Sequence, residues 1–126
     1  MAEITFYRCA KCGNLVYVVQ KGTCVPQCCG EPMAKLEAGS TDAATEKHVP
    51  AVTRANGKIN VQVGEVEHPM LDAHFIQWIA LASERRVEIH YLKPGEKPAT
   101  EFACEGVDDV TIYEYCNLHG LWKAEA

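Results

Sequence analysis

Nowhere in these 126 residues is there an apolar run approaching the roughly 18 residues that span a bilayer. The opening stretch, MAEITFYRCAKC, has no basic segment followed by an apolar one, so no export signal is read there and a soluble, cytoplasmic protein is expected. An excess of basic residues is missing too. A net charge of −5 argues against nucleic acid as a partner, because that binding depends on Lys and Arg neutralising phosphates. There is also no internal repeat, no low-complexity tract and no convincing helical stripe.

What is present is 48% hydrophobic residues and seven cysteines. A chain of this length buries one respectable core, or a modest core plus a small satellite held by something other than packing. The second arrangement fits better. In a reducing compartment clustered cysteines more often bind metal than form disulfides. The charge is uneven: residues 1–36 carry Arg8, Lys11, Lys21 and Lys35 against Glu3 and Glu31, a balance of +2 that leaves −7 for the remainder.

ITFYRC and LVYVVQ read as two short strands about a KCGN turn. QKGT, VPQ, GEP and EAGSTDAATE then bring turn formers with little apolar content, so a small first unit ends near residue 36 and a linker follows. From His48 onward VPAVTR, KINVQVGEV, HFIQWIALAS, RVEIHYL, TEFAC and DVTIYEYC are strand-like runs separated by ANGK, SER, KPGEKP and EGVDD. The expected fold is mainly β, an antiparallel sandwich or barrel. HFIQWIALAS could be helical, but its β-branched and aromatic residues and its flanking strands favour β.

The first chemical constellation is Cys9-Ala-Lys-Cys12 followed by Cys28-Cys29. A C-x2-C turn aims two thiolates at one point while turn N–H groups disperse their charge. Two further thiolates complete a tetrahedron that zinc and iron both accept. Adjacent cysteines point apart on an extended backbone, so bringing both to one ion should bend the chain; Cys24 with Cys28, a C-x3-C pair, is the competing choice. Metal binding of some kind is expected, because 36 residues bury too little surface without a staple.

The second constellation is His48, His68, His74, Cys116 and His119. His68 and His74 flank the turn-like PMLDA, and Cys116 and His119 flank another short turn, so these donors lie where sandwich loops build sites. His90, mid-strand in VEIHYL, is expected on the solvent face as a non-ligand, and Cys104 as a small packed side chain. Five donors are one too many for a structural zinc site. Iron accepts them, with four nitrogens and an anionic sulfur leaving one position open for a small oxygen species.

With CxxC plus CC near the start and EKHVP, HPM, a following His and CNLHG in order, the chain resembles desulfoferrodoxin, the two-iron class of superoxide reductase, nearly end to end. The resemblance implies a desulforedoxin-like domain over 1–36 with iron held by Cys9, Cys12, Cys28 and Cys29, a linker over 37–46, and a neelaredoxin-like domain over 47–126. That second domain is expected to be an immunoglobulin-like β-sandwich whose iron takes His48, His68, His74 and His119 as equatorial ligands and Cys116 as the axial one. It further implies one-electron reduction of superoxide to hydrogen peroxide, re-reduction by a rubredoxin-like donor, and a homodimer. Lys47, next to His48, would attract the anionic substrate into an acidic domain, and Glu46 would help displace the product.

Overall fold

The computed structural model describes residues 2–126. Two compact units divide the chain, one spanning Ile4–Glu37 and the other Ala38–Ala126 together with Ala2 and Glu3. In the smaller, β1 (Phe6–Arg8) pairs antiparallel with β2 (Leu15–Tyr17) on one side and β5 (Ala34–Lys35) on the other. A separate hairpin joins β3 (Gln27–Cys28) to β4 (Glu31–Pro32). Its buried apolar side chains are Phe6, Cys9 and Met33, with Tyr17 edge-on to Phe6 at 6.4 Å. Three such residues are too few to offset the entropy of ordering the segment, so the unit depends on a cross-link.

The larger unit opens with one helical turn, α1 (Thr45–His48), followed by β6 (Pro50–Ala55), β7 (Lys58–Val63), β8 (Ile76–Ala82), β9 (Val87–Tyr91), β10 (Ala99–Ala103), β11 (Thr111–Cys116) and β12 (Gly120–Glu125). Two antiparallel sheets, ordered β10-β7-β6 and β12-β11-β8-β9, make the expected sandwich. Alternation explains its core. Ile59, Val61 and Val63 of β7 and Phe102 of β10 face Ile79, Leu81 and Ile112 from the other sheet, and all belong to one buried cluster. Cys104 packs in that cluster, 4% exposed, as its sequence context predicts.

The β6–β7 hairpin turns at Asn56 and Gly57, with φ of 54° and 73°, the pair of positive values that a two-residue type I′ turn requires. Between β8 and β11 the register slips: Tyr115 faces Trp78 but Cys116 faces Ile76. The extra residue, Gln77, is a bulge that lets both Ile76 and Ile79 face the core, and it lies where β11 reaches Cys116.

Three features differ from the sequence reading. GLWKAE forms the edge strand β12, although it starts with Gly, ends in charges and buries the adjacent Leu121 and Trp122, so no period of two marks it. Helix α1 straddles the expected end of the linker at residue 46. His90 does not lie on the solvent face, because its cross-strand partner is the core residue Ile79, so the ring points inward at the sheet edge. There it stacks on Phe102 at 4.3 Å and bonds Thr100 and Glu88 at 2.6 and 2.7 Å. It joins no group of converging donors among the described residues, in agreement with its reading as a non-ligand.

Gly64 fixes the position of α1. A Cβ there would lie 2.7 Å from both the carbonyl oxygen of Glu46 and the carbonyl carbon of Lys47, so only glycine lets the helical turn rest on the end of β7. The Val66 N–H donates to the same Glu46 carbonyl at 2.8 Å and holds it there. Gly64→Ala should therefore cost about 1–3 kcal/mol through overpacking and shift His48. Thermal melting with metal retention at the histidine site checks this; an unchanged melt with unchanged retention would contradict it.

Candidate metal centres

In the small unit the four sulfurs of Cys9, Cys12, Cys28 and Cys29 lie within 4.8 Å of one another. The first pair comes from a knuckle in which the Gly13 N–H donates to the Cys9 carbonyl at 2.9 Å, with Gly13 at φ 82°. The Cys12 N–H points at Cys9 Sγ, 3.5 Å away, and this backbone contact is the main cause that lowers the Cys9 pKa to about 6. The thiolate form is thus favoured before any metal arrives.

Cys28 and Cys29 converge through the turn itself. The pairing of Cys28 with Glu31 leaves Cys29 and Gly30 as a two-residue loop with φ of 53° and 75°, and the left-handed Cys29 swings its sulfur back to 4.0 Å from that of Cys28. The bend expected of adjacent cysteines is this turn. Asn14 Nδ2 lies 3.7 Å from Cys28 Sγ as a donor. The neighbouring thiols Cys12 and Cys9 push Cys29 up to about 12, so a thiolate there needs a cation beside it. Cys24 stays outside the group, exposed and beside Thr23 Oγ1 at 3.8 Å.

In the large unit the second group is His48, His68, His74, Cys116 and His119, again with donor atoms within 4.8 Å. The four rings form a closed cycle. His48 to His68, His68 to His74, His74 to His119 and His119 to His48 have centroid separations of 4.6, 4.7, 5.0 and 4.8 Å. Each ring stands nearly perpendicular to the next, at 77°, 82°, 80° and 87°. Three short segments supply these rings: helix α1 gives His48, the loop before β8 gives His68 and His74, and the β11–β12 turn gives His119.

Local bonds aim the rings. His48 donates its Nδ1–H to the Ala44 carbonyl and His68 donates its own to the Pro69 carbonyl, each at 2.7 Å. A carbonyl only accepts, so both Nε2 atoms carry lone pairs, and these face each other at 3.1 Å. Nδ1 of His119 lies 3.1 Å from the same His48 Nε2. Nε2 of His74 is buried with no hydrogen-bond partner. Burial holds His48, His74 and His68 below the ordinary imidazole value, His68 at about 4, so the rings are neutral at pH 7. Neutral lone pairs meeting at this distance repel unless a cation lies between them. Metal–nitrogen bonds of about 2.1 Å put neighbouring nitrogens ~3.0 Å apart in a square and ~3.4 Å apart in a tetrahedron, so the observed spacing fits a square set.

Cys116 is buried with 0% exposure, its Sγ within 4.8 Å of the four ring donors and 3.9 Å from His119 Nδ1. Burial raises its pKa, while the N–H groups of Leu118 and His119 in the following turn oppose that rise. Trp122 stacks on His48 at 5.0 Å and donates its indole N–H to the His119 carbonyl at 3.0 Å. Sequence reading missed Trp122, and it also missed Glu114, a fully buried acid whose two oxygens lack partners. Burial lifts the Glu114 pKa well above the usual carboxylate range. Glu46 and Lys47 are exposed on α1, and the Lys47 charge is close enough to act on the His48 and His74 rings.

Comparison with known proteins identifies both units. The desulfoferrodoxin N-terminal domain model matches residues 2–36 and the desulfoferrodoxin model matches residues 40–125. Desulfoferrodoxin of Nitratidesulfovibrio vulgaris is 47% identical over 98% of both chains. That of Syntrophotalea carbinolica is 45% identical over 99% of both. The superoxide reductase of Treponema pallidum superposes with a TM-score of 0.77, at 30% identity over 97% of this chain and 98% of its own. No helix among the described residues is long and apolar enough to cross a membrane.

The lowered imidazole values set a pH dependence. Their contribution to stability is full above 6.5, the unfolded value, and is lost as pH falls through the folded values, about 4 for His68. Metal-free protein should therefore melt at progressively lower temperature across that interval, and His68→Gln should flatten the trend; parallel melting curves for parent and variant would contradict this.

Proposed function

The chain belongs to the desulfoferrodoxin family, and we propose that it is a superoxide reductase that converts superoxide and two protons to hydrogen peroxide with one electron. The observation that carries this reading is the closed cycle of four imidazoles whose donor nitrogens lie within 4.8 Å of one buried cysteine sulfur. His48, His68, His74, His119 and Cys116 would hold one iron, and Cys9, Cys12, Cys28 and Cys29 a second. Iron held by these five donors would supply the one-electron chemistry, with Cys116 as its anionic donor.

The protein's own groups do the rest. Carbonyl acceptors at Ala44 and Pro69 keep two imidazoles in the tautomer that offers Nε2. Turn N–H groups from Leu118 and His119 support the Cys116 thiolate within an apolar core that excludes water from it. Lys47 offsets the acidic field and draws the anion in. Its exposed ammonium also bears on solvent protons, while Glu46 supplies a carboxylate that competes with the departing product.

Residues 1–36, 37–46 and 47–126 are assigned as four-cysteine domain, linker and catalytic domain. A rubredoxin-like carrier restores the electron, the protein works as a homodimer in detoxification of superoxide, and its compartment is the cytoplasm. Five cysteines committed as thiolate ligands support that last assignment, since thiolates persist in reducing surroundings.

The test is stoichiometric. Reduced protein given a known flux of superoxide without oxygen should form nearly one peroxide per superoxide consumed and release no oxygen. Half that yield with oxygen evolved would mean dismutation; no consumption would leave an electron carrier or a zinc scaffold. Lys47→Ala should lower the second-order rate and weaken its salt dependence. An unchanged rate and slope would remove Lys47 from substrate guidance.

A further inference from the structure

The rings of His48 and His68 are each anchored directly, by an Nδ1–H bond to a carbonyl. His74 is held through its main chain instead. Its N–H and C=O pair with those of Leu71 at 3.0 and 2.9 Å, closing a small loop on the chain toward His68. On its other flanks a single side chain acts. Asn117 donates its Nδ2–H to the Ala73 carbonyl at 3.0 Å and accepts the Phe75 N–H on Oδ1 at 3.0 Å. Its own N–H donates to the Phe75 carbonyl at 3.2 Å. Three bonds thus grip the residues immediately before and after His74.

Asn117 is itself the residue after Cys116 and two before His119. The amide therefore ties the loop that presents one ligand to the turn that presents two others. Only a side chain with a donor and an acceptor a fixed distance apart bridges both peptide groups; Asp would keep the acceptor and lose the donor, and Ala would lose both.

We propose that Asn117 is a positioning residue that sets His74 against the Cys116–His119 turn and so fixes the geometry of the five-donor site. This rests on the reading of those five side chains as metal ligands. Groups that orient a ligand from outside the coordination shell change metal affinity by roughly 10- to 100-fold when removed.

The experiment uses the full chain loaded with iron, with the four-cysteine centre as an internal control. Asn117→Ala and Asn117→Asp are compared with the parent by visible and paramagnetic-resonance spectra of the oxidised protein and by the rate of iron release to a chelator. Asn117→Ala should release iron from the histidine site roughly 10- to 100-fold faster. Its spectrum should shift while that of the four-cysteine centre stays put, and Asn117→Asp should fall between it and the parent. Amide exchange at Phe75 should quicken in Asn117→Ala and remain slow in Asn117→Asp. A variant that melts lower yet keeps the parent's spectrum and release rate would overturn the proposal, because that is the behaviour of a merely structural turn residue. If Asn117→Ala does not fold, Asn117→Asp decides: a shifted histidine-site spectrum supports the proposal and a parent-like one overturns it. A parent that takes up no iron at this site would instead overturn the ligand reading beneath it, a result distinct from any difference between variants.

Discussion

Lone pairs that repel one another organise the larger unit. The Nε2 atoms of His48 and His68 stand 3.1 Å apart with their protons committed elsewhere, and His119 brings a third nitrogen to the same distance. Such a cluster is unfavourable by itself, as burial of His74 Nε2 without a partner also shows. A cation converts the repulsion into coordination. The sandwich supplies the rigidity that holds the donors in place until then, with a tightly packed core and ligands placed at strand ends rather than within strands.

The same logic holds in the small unit, by other means. There the packing is slight, and turn geometry does the aiming: a knuckle around Gly13 for one pair of cysteines and a left-handed Cys29 for the other. Backbone N–H groups pointing at sulfur recur in both units, toward Cys9 from Cys12 and toward Cys116 from Leu118 and His119. A short turn after a cysteine presents both a second ligand and the dipoles that stabilise the first thiolate.

KINVQV was legible because burial on one face leaves a period of two, whereas VTIYEYC, buried along the whole of β11, was legible from its β-branched and aromatic residues. HFIQWIALAS was ambiguous for a physical cause: the bulge at Gln77 breaks the period and turns Ile76 and Ile79 to the same side. Edge strand β12 was invisible because it begins with glycine and ends in charges. His90 was misplaced because alternation gives two faces without saying which is inward; its pairing with Ile79 decides that. Glu114 breaks the rule that acids stay outside, so composition could not reveal its burial.

Spacing between neighbours in the chain is a local property, and it was enough to mark CxxC, CC and CNLHG as donor-bearing turns and to limit the chemistry to metal. Convergence is not local. That His48, His68, His74 and His119 close into a ring in that order, with Cys116 beside them, follows from how two sheets stack and where their loops end. That Cys29 rather than Cys24 joins the cluster follows from hairpin register, which puts Cys29 in the left-handed position of the turn. And the grip of Asn117 on both neighbours of His74 joins residues more than forty positions apart, a pairing that only the folded chain can make.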